Sequence, residues 1–183
     1  MSDNEKVLWF YPQLKLIKHE NVKNFVEIIL KGTGDWFYKD PASTTGKNHP
    51  YFALGDGGLV RHVKAVVYFM KTFLDTKLYN IDEYHSDLLI GAAILHDIRK
   101  HTAEGNYVEN HAREGYNIIM ETQKMHPELI SEEDALYMAI PISTHMGIWG
   151  EKQGEKVPQT DSEKLLHLAD YCASRKELVG LYI

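Results

Sequence analysis

The 183-residue chain has one cysteine, Cys172, so no internal disulfide can form. Its sequence therefore makes no demand for an oxidising compartment. The residues around Cys172 are typical of a packed helix, which predicts a small core side chain there and argues against a nucleophile. Long apolar runs are also missing, and none approaches the roughly 20 residues of a membrane span. The N-terminal residues lack the basic-then-apolar order of a signal peptide, so we expect a cytoplasmic protein without membrane partners.

The chain has fewer basic than acidic residues. It contains 20 lysines and arginines and 26 aspartates and glutamates, which gives a net charge of −6. Sequence-independent binding of a nucleic-acid duplex usually needs a basic face, so we do not expect a duplex partner. A phosphorylated substrate remains compatible with this composition, because a bound metal supplies local positive charge.

The sequence shows no convincing pair of strands and no internal repeat. Apolar residues instead recur every three or four positions, as they do on one face of a helix. The predicted helices are Glu20–Lys31, Leu59–Leu78, a run from Asp82 to His96, Glu109–Lys124, a helix from Ser131 to near His145, and a last helix capped by Thr160 or Asp161. The loop between the first two is long enough to be functional. We therefore expect an all-α, single-domain bundle of about six helices over residues 1–183.

The stretch that organises the chain is the apolar run Leu88–Leu95, which ends in His96 and Asp97, with Lys100 close behind. A buried charge is costly unless a partner compensates it. A divalent metal is an economical partner, because imidazole nitrogen and carboxylate oxygen both ligate it. A structural salt bridge or a helix C-cap explains the dipeptide alone equally well.

Metal-ligand side chains recur at helix ends or on apolar faces in five predicted helices. They are His62, His96 with Asp97, His111, His145 and Asp170. Helices packed around one core can aim such side chains at a common point. Each of His62, His111 and His145, taken alone, is better explained as a hydrogen-bonded core residue. Only the complete set favours a metal site.

This order of residues resembles the HD-domain superfamily of metal-dependent phosphohydrolases over about residues 47–176. In detail it is most similar to the catalytic domain of bacterial HD-type 3′–5′ exoribonucleases. The similar segments are Lys47–Tyr51, Gly57–His62, Ala92–Lys100, His145–Gly150, and Leu166–Tyr171 with Arg175. The resemblance implies a helical bundle of the HD type, with an HD core over about 45–178 and a helical N-terminal extension over 1–44.

The resemblance also implies a ligand set for one or two divalent metals. The implied ligands are His62, His96, Asp97 and Asp170 for the first metal, and Asp97, His111 and His145 for the second. Two metals about 3.5–4 Å apart can activate a hydroxide and clamp phosphate oxygens during in-line attack. Mixed nitrogen and oxygen ligands suit Mn, Fe, Co or Zn better than Mg.

Substrate contacts are predicted for Lys47, His49, Lys100 and Arg175. Lys100 lies three residues past Asp97, on the same face if the helix continues. It would act in catalysis by neutralising a non-bridging phosphate oxygen, or it could only complement the helix dipole. Lys47 and His49 could instead be solvated turn residues. Arg175 could instead pair with an acid on its own helix.

Several positions depart from the family pattern or stay outside the predicted site. Arg99 replaces an expected glycine and could change the turn or add a cation near the substrate. Met146 replaces an expected second histidine, which leaves the second metal fewer ligands. Trp149 could stack on a base, although filling the core is the favoured role. Structural or surface roles are predicted for His19, His85, His101, His126 and His167.

We therefore expect a metal-dependent phosphohydrolase or phosphodiesterase that attacks a nucleotide or related phosphoester with a metal-activated hydroxide. A 3′–5′ nuclease on short single-stranded RNA or DNA is the runner-up. The N-terminal part is too short for the nucleic-acid module of the exoribonucleases, which favours a small nucleotide. A non-catalytic metal- or nucleotide-binding module, or a set of purely structural histidines, would also fit the residues. The aromatic residues Trp9, Phe10 and Tyr11 make a homodimer plausible.

Overall fold

A computed structural model describes residues 1–43, 45–151, 154 and 156–179. Within these ranges the chain forms ten α-helices and two 3₁₀ turns, and no strand. The helices are α1 Asp3–Trp9, α2 Tyr11–Leu14, α3 Glu20–Gly32, α4 Gly58–Asp75, α5 Glu83–Leu95, α6 His111–Met125, α7 Glu132–Thr144, α8 Ile148–Glu151, α9 Asp161–Ala173 and α10 Lys176–Val179. The 3₁₀ turns are Asp35–Tyr38 and Tyr51–Ala53. The expected all-α bundle is confirmed.

Six of these helices have 13 residues or more, and they correspond to the six that the apolar periodicity predicts. Helix α4 ends at Asp75 and not at the predicted Leu78, because Lys77 adopts a positive φ of 57° that leaves the helix. The apolar periodicity does not predict the four short helices individually. A helix of four to seven residues contains too few turns to show a periodic apolar pattern, so it is fixed by its contacts with the longer helices. None of the described helices is both long enough and apolar enough to cross a membrane.

Side-chain caps explain where three of the long helices begin. The Asp82 carboxylate accepts a hydrogen bond from the backbone N–H of His85 at 2.8 Å. The Ser131 hydroxyl accepts one from the N–H of Asp134, whose carboxylate accepts the N–H of Ser131 in return. Thr160 caps α9 in the same reciprocal way. Such caps satisfy N–H groups that have no partner inside the helix.

Helix α5 occupies the centre of the bundle. All its residues from Asp87 to Leu95 are buried, and the helix packs against α3, α4, α7 and α9. At Gly91 an added Cβ would lie 2.9 Å from both Met138 and Val26, so glycine permits this close approach. Because α5 is buried, the residues that follow its end, His96 and Asp97, are delivered into the interior.

Within the N-terminal extension α1 packs on α3, and the extension contacts the rest of the bundle through α2 and α3, which both pack on α5. Phe10 is fully buried between these elements, whereas Trp9 and Tyr11 keep part of their surface exposed. Phe10 is therefore a core residue and is not part of the exposed aromatic surface on which the homodimer expectation was based. The prediction of a homodimer stays a prediction that rests on Trp9 and Tyr11.

Candidate metal centre and adjoining cavity

The six predicted ligands meet at one point in the interior of the bundle. Each is carried by a long helix or by the residues just after one. Their positions are His62 in α4, His96 and Asp97 after α5, His111 at the start of α6, His145 after α7 and Asp170 in α9. All except Asp170 are buried, and the Asp170 side chain is 18% exposed. Packing of α4, α7 and α9 against α5, and of α6 against α7, brings these distant segments together.

Asp97 lies between two pairs of histidines. Its Oδ2 atom is 3.7 Å from His62 Nε2 and 3.5 Å from His96 Nε2. Its Oδ1 atom is 3.3 Å from His111 Nε2 and 3.6 Å from His145 Nε2. In each set of three residues the ligand atoms lie within 4.8 Å of one another, which is close enough for one metal ion.

Asp170 adds a second carboxylate on one side only. Its Oδ1 atom lies 3.0 Å from His62 Nε2 and 3.8 Å from His96 Nε2. The Ser174 hydroxyl donates a hydrogen bond to the same oxygen at 3.3 Å. We call His62, His96, Asp97 and Asp170 the first group, and Asp97, His111 and His145 the second group.

Three of the histidines are oriented by the backbone in the same way. The Nδ1 atoms of His96, His111 and His145 each lie within hydrogen-bond distance of a carbonyl oxygen three residues earlier. The acceptors are Ala93 at 2.8 Å, Val108 at 3.1 Å and Ile142 at 2.7 Å. A carbonyl oxygen can only accept, so Nδ1 carries the proton and Nε2 keeps its lone pair. That lone pair faces Asp97, as metal-ligating histidines require.

Several buried polar atoms of the centre have no hydrogen-bond partner of good geometry among the described residues. They are Asp97 Oδ1, His96 Nε2, His111 Nε2 and both ring nitrogens of His62. Each such atom costs about 1–3 kcal/mol when it is buried without a partner. Five of them in one place are hard to explain as structural histidines. Coordination by a divalent cation satisfies nitrogen and oxygen donors together, so the residues fit a metal.

Both carboxylates of the centre are charged at neutral pH. Burial raises the pKa of Asp97, but the Lys100 charge and the surrounding histidines outweigh it and hold that pKa well below its usual range. Burial likewise opposes ionisation of Asp170, and the close contact with His62 outweighs it, so the pKa of Asp170 is lowered. Charged carboxylates are the form that ligates a metal.

The pKa values of three histidines of the centre are shifted in different directions. Burial lowers the pKa of His62 and of His111, which favours the neutral imidazole needed for ligation. Burial also acts on His145, but its contact with Asp97 and the nearby carboxylate charges outweigh it and raise its pKa. Of these three histidines, His145 is therefore the one that most readily takes up a proton.

Lys100 contacts Asp97, although not for the reason that its spacing predicted. Helix α5 ends at Leu95, so Lys100 lies beyond it, in the turn that follows. Its Nζ atom still lies 2.7 Å from Asp97 Oδ2, and its side chain is 14% exposed. Burial lowers the pKa of Lys100, but the Asp97 and Asp170 charges outweigh it and the pKa is raised. Lys100 is a protonated cation beside the centre.

A cavity of about 280 Å³ adjoins both groups. Asp170 of the first group and His145 of the second group line it, together with Lys100. His49 and Arg175, two of the predicted substrate contacts, line it as well. Burial lowers the pKa of His49 to about 4, so its imidazole is neutral at pH 7. The cavity is small and mixes polar with aromatic side chains, as small-molecule sites do.

Two other positions do not join this cavity. Lys47 is exposed and does not line it, so its contact with a substrate stays a prediction. Arg99 is exposed and lines a different cavity together with Trp36 and Ile98. The expectation that Arg99 adds a cation near the substrate therefore finds no support in the geometry.

Three further aromatic residues line the cavity. The core role favoured for Trp149 is wrong, because Trp149 is 41% exposed and lines the cavity. The alternative, that Trp149 stacks on a base, stays a prediction. His167 and Tyr171 line the cavity too. His167 and Tyr171 are four residues apart in α9, which places them on the same helix face next to Asp170. That spacing is the signal that could have identified them.

Comparisons with protein-family models, curated proteins and solved structures found no match for this chain. Any function therefore has to be argued from the chain's own residues and their geometry.

Proposed function

We propose that the protein is a metal-dependent phosphohydrolase of the HD-domain type, acting on a nucleotide or a related phosphoester. The observation that carries this proposal is the position of Asp97. Each of its two oxygens faces a different pair of histidines, and a lysine and a cavity lie beside it. A carboxylate shared between two imidazole pairs is the arrangement expected for a bridging ligand in a two-metal site.

The residues of the two groups would each hold one divalent cation, with Asp97 common to both. Such cations supply a hydroxide nucleophile at neutral pH and draw charge from phosphate oxygens. The mixed nitrogen and oxygen donors favour Mn, Fe, Co or Zn over Mg.

The other polar side chains of the cavity have roles that follow from their charge. Lys100 is protonated and beside Asp97, so it would neutralise a non-bridging oxygen of the phosphate as charge develops there. Arg175 offers a planar guanidinium, which suits a phosphate oxygen pair. His49 is neutral at pH 7 and would contribute a hydrogen bond without adding charge.

The test is product release from a panel of phosphoesters with added Mn²⁺. The panel contains nucleoside mono- and triphosphates, cyclic nucleotides, dinucleotides, dinucleoside polyphosphates, ribose 5-phosphate and a short single-stranded RNA. Asp97→Asn serves as the control, because it keeps the shape of the side chain and removes the ligand charge. We expect turnover of a small nucleotide that disappears in Asp97→Asn. Equal turnover in the wild type and the variant would contradict the two-metal proposal.

A non-catalytic metal-binding module is the second candidate, and Met146 is the observation that favours it. Met146 stands where the resembling hydrolases carry a histidine, and it lines the cavity next to His145. A protein that holds stoichiometric metal yet hydrolyses no member of the panel would support this module. Cleavage confined to the RNA would favour a nuclease instead.

A further inference from the structure

We propose that the cavity recognises an unpaired nucleobase, which stacks on Trp149 and Tyr171 while Arg175 binds an anionic group of the same molecule. The substrate class is then a nucleoside phosphate, free or at the end of a single strand. This inference rests on the proposed function for the position of the reacting phosphate. The recognition of the base can be tested without hydrolysis.

Trp149 and Tyr171 form an aromatic wall on one side of the cavity. Their ring centroids are 6.0 Å apart, and their planes differ by only 21°. Trp149 is 41% exposed and Tyr171 is 37% exposed, so both rings keep surface that a ligand can cover. Base stacking on such rings tolerates any base, because each base has a π-face. The wall therefore indicates a flat ligand.

Arg175 adds a cation that has no acidic partner among the described residues. Its guanidinium carbon lies 4.4 Å from the centroid of Tyr171 and 5.3 Å from that of Trp149. Its Nε atom is buried without a hydrogen-bond partner in the described part of the chain, where no ion pair to this residue is found either. A buried guanidinium N–H without an acceptor is costly. An anionic ligand group would supply that acceptor.

The wall is tied to the metal centre by two elements. Helix α9 carries both Asp170 of the first group and Tyr171 of the wall. Trp149 follows His145 closely in the chain, and His167 Nδ1 lies 2.6 Å from the His145 carbonyl oxygen. Wall and centre are thus held at a fixed separation. A ligand with a flat ring and a phosphate on one short scaffold meets both, which describes a nucleoside phosphate.

Calorimetric titration of the Mn²⁺-loaded protein tests this inference with probes that cannot be hydrolysed. The probes are adenosine 5′-methylenephosphonate, the matching ribose 5-methylenephosphonate without a base, and a phosphorothioate tetranucleotide. We expect the adenosine probe to bind more tightly than the ribose probe. Trp149→Ala or Tyr171→Ala should lower the affinity for the adenosine probe by about 5- to 150-fold, as loss of one base–aromatic stack does.

Matched variants separate stacking from general damage. Trp149→Phe should retain most of the affinity, because it keeps an aromatic face. Trp9→Ala is the control, since Trp9 has a similar exposure and lies outside this cavity. The ribose probe should bind equally to the wild type and to Trp149→Ala. Equal affinity of the two small probes for the wild type would overturn the inference, and so would an equal loss of both in Trp149→Ala.

The remaining outcomes distinguish this inference from the proposed function. If the protein binds the adenosine probe through its base but hydrolyses no phosphoester, the inference of a base site stands and the proposed hydrolase function is refuted. If the protein hydrolyses ribose 5-phosphate as fast as a nucleotide, the proposed hydrolase function stands and the inference of a base site is refuted. Tighter binding of the tetranucleotide than of the adenosine probe supports the inference and identifies the end of a strand as the source. The reverse order supports it with a free nucleotide as the source.

Discussion

The first and second groups share Asp97 but differ in charge and in support. The first group has a carboxylate of its own, Asp170, whose Oδ1 lies 3.0 Å from His62. The second group depends on Asp97 alone for negative charge. Since carboxylates attract divalent cations more strongly than neutral imidazoles do, we expect the first group to bind metal more tightly.

The two groups also differ in how firmly their ligands are held. His62 lies within α4, the longest helix, which packs against α5 and α9. His111 is the first residue of α6, and Asn110 before it makes no side-chain cap. The first turn of an uncapped helix is the part that frays most easily. The second group should therefore be the weaker and more exchangeable of the two sites.

The largest effect is expected for Asp97→Ala, which removes the only residue common to both groups. Metal content should fall to background for both equivalents. Loss of a residue that only supports a ligand costs about 10- to 100-fold in metal affinity, so loss of a shared ligand should cost more. Elemental analysis by mass spectrometry after desalting measures this. One full equivalent of retained metal would show that Asp97 does not bridge the groups.

A smaller and one-sided effect is expected for His111→Ala. One equivalent of metal should be lost and the other kept, with weakened turnover. His96→Ala should remove the tighter equivalent instead. His126→Ala is the matched control, because His126 follows the other end of α6, outside the centre, and its side chain is partly exposed. If His111→Ala released all the metal, the division into two groups would be wrong.

A gain in metal affinity is expected for Met146→His, which adds an imidazole at the position next to His145. The affinity of the second equivalent should rise, while that of the first should stay the same, because Met146 is next in sequence to a second-group ligand. Titration with Mn²⁺ followed by electron paramagnetic resonance resolves the two equivalents. Met125→His, at the exposed end of α6, controls for an added surface histidine. A rise in the affinity of the first equivalent alone would show that residue 146 lies beside the first group and would contradict this prediction.

The smallest effect is expected for Gly115→Ala, one turn after His111. An added Cβ would lie 2.8 Å from Ile142, whose carbonyl oxygen orients His145. Overpacking of about 1–3 kcal/mol should exceed the helix-propensity gain of about 1 kcal/mol. The midpoint of thermal unfolding should fall by a few degrees, at about 2–4 °C per kcal/mol.

The Gly115→Ala change should also weaken the second equivalent of metal more than the first, because it pushes α6 away from α7. Gly32→Ala is the control, since its added Cβ meets no atom within 4 Å. An equal loss of affinity for both equivalents would show that the packing of α6 against α7 supports both groups alike, which would contradict this prediction.

The long helices were predictable because their signals are local. The Asp82 and Ser131 caps act over three residues, and the apolar face of a helix repeats every three or four. The choice between Thr160 and Asp161 as the cap of α9 was open, and the structure assigns it to Thr160. The shared orientation of His96 and His145 by carbonyl oxygens was not predicted, because it depends on side-chain rotamers.

The residues around the centre were less predictable than the centre itself. Lys100 was placed near Asp97 on the assumption that α5 continues, and a turn brings the two together instead. Trp149 was assigned to the core because a large apolar ring is usually buried. Its exposure is decided by where α8 lies against α9, and a helix of four residues carries no sequence signal of that position.

The sequence by itself determined which segments are helical and that imidazoles and carboxylates stand at the ends or on the buried faces of those helices. Both are consequences of local backbone geometry and of the cost of burying polar groups. Only the tertiary structure decided that each oxygen of Asp97 faces a different pair of histidines, that Arg99 lies away from the cavity, and that Trp149 lines it. These relations join segments far apart in the chain. They are set by how helices pack around α5, which no local pattern encodes.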